Sequence, residues 1–263
     1  MAYALNNAQT SKPKFSVAIQ SDAYKKLINN TLGDSETAKK FVAEITTVVS
    51  QNPMLANCDA GSIISAGLLA QTLNLSLAPS LGFAYIVPYK DKATFQIGYK
   101  GLIQLSIRSG QFERVGVRAV HGGEYAGMDE FGDDMFKFSH DFDDKPIVGY
   151  YAYFVLLNGF RKTLYMTYDQ VLAHAKHYSK KFAHDGKGLW ADAFDLMAEK
   201  TVLKLLLNRY APMATELRQA IKADQAVIKG DGQYEYVDNV PDEPKETEAG
   251  DEPALATDQD DAS

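Results

Sequence analysis

Two short stretches carry side chains whose types and spacing suit the handling of a polyanion. In GYKGLIQLSIRSG, at 100° per residue, Lys100, Gln104 and Arg108 fall at i, i+4 and i+8 and form one polar stripe, with Leu102, Ile103, Leu105 and Ser106 on the other side. MAEKTVLKLLLNRYAP repeats the arrangement. There Lys200, Lys204 and Asn208 make the row, flanked by Thr201 and opposite Val202, Leu203, Leu206 and Tyr210. Any amphipathic helix needs a solvated face, and that is the plain alternative for each row. Neither row contains an acid, however, so neither can be stabilised by ion pairs along its own helix. Unpaired Lys and Arg beside Gln or Asn match a line of phosphates with neutral donors between them. Lys90 and Lys92 in FAYIVPYKDKATFQIGYKG, the pair Arg161-Lys162, and the cluster Lys176, Lys180, Lys181 and Lys187 add positive charge. Tyr89, Phe95 and Tyr99 stand beside these bases and suit stacking of unpaired bases. Tyr150, Tyr151, Tyr153 and Phe154 read as core.

Other chemistries find less support. No G-x-x-x-x-G-K-[ST] loop occurs, and Gly122-Gly123-Glu124 does not match a dinucleotide fingerprint. His174, His177, His184 and Asp185 could ligate a metal, but Lys176, Lys180 and Lys181 among them repel a cation. Asp129, Glu130, Asp133, Asp134, Asp141, Asp143 and Asp144 form an acidic segment that reads as a solvated loop, with a metal-dependent nuclease centre over 129–144 as the competing reading. A non-catalytic assembly protein is the third possibility. Cys58 is the single cysteine, so no internal disulfide forms, which agrees with a reducing compartment.

These groups need elements to position them. Helices are expected over Val17–Asn29, from Ser35 as N-cap to Gln51, after an Asp59 N-cap, and from Tyr99 to a stop at Gly110. Residues 83–101 read as a hairpin. Strand composition follows in FERVGVRAV, MFKFSHDF, PIVGYYAYFVLL and RKTLYMT, with a turn at Asn158-Gly159 between the last two. A helical section runs from Asp169 to Ile228. The expected fold class is α+β, with a mostly antiparallel sheet between N-terminal and C-terminal helices. Residues 15–230 make a single domain and residues 1–14 a flexible lead. From Asp231 to Ser263 twelve acids face one base, a charge of −11 that leaves the rest of the chain at +4 within a total of −7. That tail has almost no large apolar residue and is expected to be disordered. No 18-residue apolar run exists and the N-terminus lacks the order of a secretory signal, so a cytoplasmic protein without membrane contact is expected.

LAPSLGFAYIVPYKDKATFQIGYKGLIQLSIRSGQF, Leu77 to Phe112, and MAEKTVLKLLL, Met197 to Leu207, resemble the two best marks of the RecT family of phage single-strand annealing proteins. CDAGSIISAGLLAQTLNL, Cys58 to Leu75, is similar to the helix that precedes the first mark. The second mark departs where Leu205 follows Lys204, a position at which members often carry a second base. The resemblance implies a non-enzymatic protein that binds single-stranded DNA, pairs complementary strands without ATP, and assembles into homo-oligomeric rings or helical filaments holding the annealed duplex in a basic groove. It implies no cofactor, with Mg²⁺ at most a modulator of DNA binding. Its implied partners are a phage exonuclease and a host single-strand binding protein. By this similarity Lys100, Gln104, Arg108, Lys200 and Lys204 line the groove, and the hairpin with Lys90 and Lys92 lies over the DNA.

Overall fold

A helix that exposes almost nothing, and an amphipathic one laid against it, set the N-terminal packing. The computed structural model describes residues 13–229 and 233–236. After α1 (Phe15–Ala18) and α2 (Asp22–Leu32), α3 (Ser35–Gln51) buries Phe41, Ile45 and Val49 against α4 (Ala60–Thr72). The single helix expected over Val17–Asn29 is interrupted at Ser21, whose extended backbone separates α1 from α2. Asp34, not Ser35, caps α3: its carboxylate accepts from the Glu36 and Thr37 amides at 2.9 and 3.0 Å, leaving Ser35 as the first helical residue. Asp59 caps α4 as expected, accepting from Ser62 N at 2.8 Å. Gly67 then lets α4 close on Phe41 and Ile45, since a Cβ there would lie 2.5 Å from the Ile45 Cδ1.

The hairpin consists of β1 (Ala84–Tyr89) and β2 (Lys92–Ile97), paired in register from Ala84↔Ile97 to Tyr89↔Lys92. Ser62 ties it to α4 by accepting from the Ala93 amide at 2.9 Å. Cys58 is buried at the same seam, with its Sγ 3.3 Å from the Lys92 carbonyl. Next come α5 (Tyr99–Arg108) and β3 (Phe112–His121), then β4 (Tyr125–Met128), β5 (Asp134–Phe136), β6 (Ile147–Leu156) and β7 (Arg161–Thr167). Strands β3, β6 and β7 form one antiparallel sheet with β6 central, and β4 and β5 form a separate ribbon. Asn158-Gly159 makes the β6–β7 turn, Gly159 adopting a φ of +85°. MFKFSHDF is not one strand: only Met135 and Phe136 join β5, and a 3-10 turn occupies His140–Phe142 because Ser139 Oγ accepts from Asp141 N.

The C-terminal part contains α6 (Tyr168–Tyr178), α7 (Lys180–Asp185), α8 (Leu189–Asp192), α9 (Phe194–Tyr210) and α10 (Thr215–Ala223). The inner faces of β3 and β6 pack on α9 through Tyr150, Ala152 and Phe154. The helical section expected as far as Ile228 ends early. Ala226–Ile228 is β8, which places Ala226 opposite Phe95 and adds to the hairpin sheet. A further strand, β9 (Tyr234–Tyr236), pairs with β8 and completes the order β1-β2-β8-β9. Part of the tail expected to be disordered from Asp231 therefore belongs to a sheet. The remainder of that expectation, and most of the flexible lead over 1–14, falls outside the described residues. The architecture is α+β, and its sheets are antiparallel.

The G-Y-K-G turn at the end of the hairpin has a steric explanation. A Cβ on Gly98 would lie 2.2 Å from the Gly82 carbonyl oxygen, and one on Gly101 would lie 2.2 Å from that of Phe83. The Gly98 amide donates to the Phe83 carbonyl at 2.9 Å. Both neighbours are backbone and cannot swing aside. Gly101→Ala is expected to lower stability by about 1–3 kcal/mol, the range for overpacking a close contact, read as the shift in urea midpoint against the parent chain. An unshifted midpoint would show that the 82–83 segment is free to retreat.

Candidate nucleic-acid interface

At the hairpin turn Lys90 is exposed, with a positive φ of +53° and its ammonium 5.4 Å from the Tyr89 ring. Lys92 is only half-exposed and meets Glu235 of β9 at 3.1 Å; Glu235 also lies 3.5 Å from Lys229. The hydrogen bond and charge of Lys92 hold the Glu235 carboxyl below its usual value. The hairpin is therefore basic at its tip and neutralised at its root.

The α5 row separates into three environments. Lys100 is exposed, Gln104 is half-buried, and Arg108 reaches across to the end of α4. Its guanidinium donates to the Leu73 carbonyl at 2.6 Å and to that of Asn74 at 3.0 Å, supplying donors to carbonyls a helix end leaves unsatisfied. Tyr99 is half-buried, and desolvation, with Glu199 and Tyr85 nearby, raises its hydroxyl pKa. Phe95, also read as a stacking surface, is fully buried and cannot be one.

The α9 row is not a line of unpaired cations. Lys200 is 5% exposed and donates to Asp224 Oδ1 at 2.8 Å; Lys204 is half-buried and donates to Asp224 Oδ2 at 3.1 Å. Asp224, 3% exposed, also accepts from the Ile97 amide at 3.2 Å. Thr201 is buried as well, while Asn208 is exposed. The acid missing from the helix comes from the end of α10, so Lys200 and Thr201 are placed in the core and not on a groove wall. Two ammonium groups share one carboxylate, and the surplus positive charge sits on the more accessible Lys204.

Elsewhere, Arg161 is exposed at the start of β7 and Lys180 and Lys181 are exposed on α7. Lys162 pairs with Asp133 at 2.7 Å and lies 5.8 Å from the Tyr210 ring. The acidic segment is occupied with its own loop: Asp129 accepts from the Phe131 and Asp133 amides, and Asp143 meets His140 at 3.0 Å. Among the described residues no group of three or more His, Cys, Asp and Glu side chains is placed to hold a metal ion. No helix among them is long and apolar enough to cross a membrane.

Comparison with known proteins bears on what this arrangement is for. The model of the RecT family matches residues 39–242, which take in α4, the hairpin, α5, both larger sheets and α9. The chain belongs to the RecT family. It is 36% identical over 217 residues to the uncharacterized protein YqaK of Bacillus subtilis strain 168, covering 80% of this chain and 75% of that one. It is 30% identical over 225 residues to Protein RecT of Escherichia coli K12, covering 77% of this chain and 80% of that one. Membership makes it a DNA recombination protein of the strand-annealing kind.

The structure also gathers residues that the sequence reading had not brought together, Arg161 having been read there only as added positive charge and Tyr151 and Tyr153 as core. Alternation along β6 sends Tyr150 and Phe154 into the core but Tyr151 and Tyr153 to the opposite face, where Arg114, Arg118 and Arg161 also project. The signal was the period of two, masked by aromatics on both faces of the strand.

Burial alone would raise the Asp224 carboxyl, but the charges and hydrogen bonds of Lys200 and Lys204 outweigh it and hold the group below the ordinary carboxylate range. A depressed acid contributes its stabilisation in full above that range and loses it as pH falls through the lower folded value. Asp224→Ala is expected to cost about 3–5 kcal/mol at neutral pH, because buried Lys200 loses the carboxylate it donates to. Acid titration of the folded fraction by circular dichroism should show the parent losing stability below the carboxylate range and the variant losing less over that interval. Parallel acid limbs would show that the cluster is not linked to folding.

Proposed function

We propose that this chain binds single-stranded DNA and pairs complementary strands without ATP, as a homo-oligomeric ring or filament in the cytoplasm of a bacterial host. The observation that carries the reading is the RecT family match over residues 39–242, which includes both basic rows and the hairpin. The accessible cations supply the chemistry: Lys90, Lys100, Arg161, Lys180 and Lys181, with Lys204 as the outward charge of the Asp224 cluster. Gln104 and Asn208 add neutral donors. Lys200 and Thr201 act from beneath, by fixing α9, and Arg108 by holding α4 to α5.

Annealing imposes a constraint on these contacts. The pairing edges of the bases must remain open, so affinity has to come from phosphates and from the flat faces of the bases. Sequence specificity is then delegated to Watson–Crick pairing, and no covalent bond is made or broken. A phage exonuclease that exposes single strands and a host single-strand binding protein are the expected partners. Divalent cations act, on this reading, only by modulating phosphate contacts.

The test is annealing of two complementary fluorescent oligonucleotides over a salt series without nucleotide, with a non-complementary pair as control. Acceleration that fades with salt supports the reading, and shortened strands would replace it with nuclease activity. Lys90→Ala with Lys100→Ala should weaken binding and reduce the log–log salt slope by about 1.4, at about 0.7 for each phosphate contact to a single strand. Lys200→Ala should lower thermal stability and leave that slope in place. A slope unchanged in the first variant would remove these two lysines from the interface.

A further inference from the structure

The outer face of the β3-β6-β7 sheet is built in cross-strand rows. Arg114, Val155 and Arg161 form one row; Gly116, Tyr153 and Thr163 the next; Arg118, Tyr151 and Tyr165 the third. Two glycines give the tyrosines an unusual posture. A Cβ on Gly116 would meet the Tyr153 Oη at 2.9 Å and its Cε1 and Cζ at 3.0 Å. The hydroxyl and two ring carbons at nearly one distance mean that the phenol end of Tyr153 lies across β3 over this glycine. Tyr165 does the same over Gly149, where a Cβ would stand 2.5 Å from its Cε2 and 2.6 Å from its Oη.

The protein itself shows what such a ring accepts. Tyr125 of the β4–β5 ribbon stacks on Tyr165 with centroids 5.9 Å apart and planes 18° apart, and Phe136 packs edge-on against the same ring. Tyr151 is covered by Phe136 and Phe138. The ribbon covers the Tyr165 end of the face. Tyr153 continues the same surface, stacked on Tyr151 with centroids 5.9 Å apart and planes 22° apart, and among the described residues no ribbon ring packs on it. One row away, about 7 Å along the strands, Arg114 and Arg161 flank the position on the same face from the two outer strands, β3 and β7. Arg118 is engaged by Glu124 and the Phe138 ring, and the nearest acid to Arg114 is the exposed Glu113 at 3.8 Å.

We infer that Tyr153 is a stacking platform for an unpaired nucleobase, with Arg114 and Arg161 placed for the phosphates on either side of that nucleotide. An aromatic ring on the central strand with cations on the flanking strands grips a single strand by a base face and leaves the pairing edge outward. The site rests on the proposal that the chain holds single-stranded DNA, and it is separate from the hairpin and α5 lysines. It explains why this open face carries arginine and tyrosine where a solvated sheet face would carry mixed charge.

The experiment uses the full chain and a thymidine oligonucleotide bearing one 2-aminopurine, together with a second oligonucleotide carrying 5-iodouracil for photocrosslinking. Expected results are quenching of the 2-aminopurine by the parent, loss of the quench with about tenfold weaker binding in Tyr153→Ala, within the range one stacked base contributes, and retention of the quench in Tyr153→Phe. The crosslink in the unaltered protein should map to the peptide containing Tyr153, which keeps the test valid if Tyr153→Ala fails to fold. Crosslinks confined to residues 83–110, or an undiminished quench in a folded Tyr153→Ala, would overturn the platform while strand annealing by the parent stood. A parent that binds no DNA would remove both proposals.

Discussion

Asp224 is the point on which three parts of the molecule converge. It ends α10, accepts from Lys200 and Lys204 on α9, and accepts from the Ile97 amide where the hairpin passes into α5. A carboxylate this deep is tolerable because two charged donors and one backbone amide meet it, and buried Lys200 is tolerable because of it. The chain direction after Asp224 follows from the same contact. Gln225, with a φ of +67°, donates to the Phe95 carbonyl and turns the backbone into β8, which sets Ala226 beside Phe95. The hairpin sheet is thus joined to the C-terminal helices by a buried ionic cluster as well as by the apolar core that Phe95 and Ile97 share with Leu217, Ala220 and Ile221.

That cluster also shows where sequence reasoning is blind. The absence of an acid at i±4 from Lys200 and Lys204 is a statement about one helix, and the partner lies on another element 20 and 24 residues onward. The same distance effect hides the role of Arg108, whose acceptors are carbonyls at the end of α4. Local signals were more readable. The Asp59 cap, the stop at Gly110, the Asn158-Gly159 turn and the strands on either side of it depend on backbone preferences within a few residues, and each stands where spacing puts it. Asp34 displaced Ser35 as a cap because a carboxylate one residue earlier satisfies two amides at once. β4, β8 and β9 are three or four residues long and exist through pairing, which leaves little periodicity to read.

Charge in this protein therefore divides into two kinds. Buried or braced cations, Lys200, Arg108 and Lys162, fix elements to one another; exposed ones, Lys90, Lys100, Arg161, Lys180 and Lys181, remain available to a partner. Both kinds occur in the same basic rows, because one side of each helix turns gradually from core to solvent. The exposed kind thus stands on a framework that the buried and braced kind ties together.

The short strand β9 has a consequence of its own. By pairing with β8 it occupies what would otherwise be the free margin of the hairpin sheet, and it does so with an acid, Glu235, already balanced by Lys92 and Lys229. A chain cut at Asp231, where the composition changes, would leave the amides and carbonyls of β8 open to any passing strand. The beginning of the acidic segment thus moves the margin of this sheet from β8 to a strand only three residues long, the kind of edge that offers little to pair with.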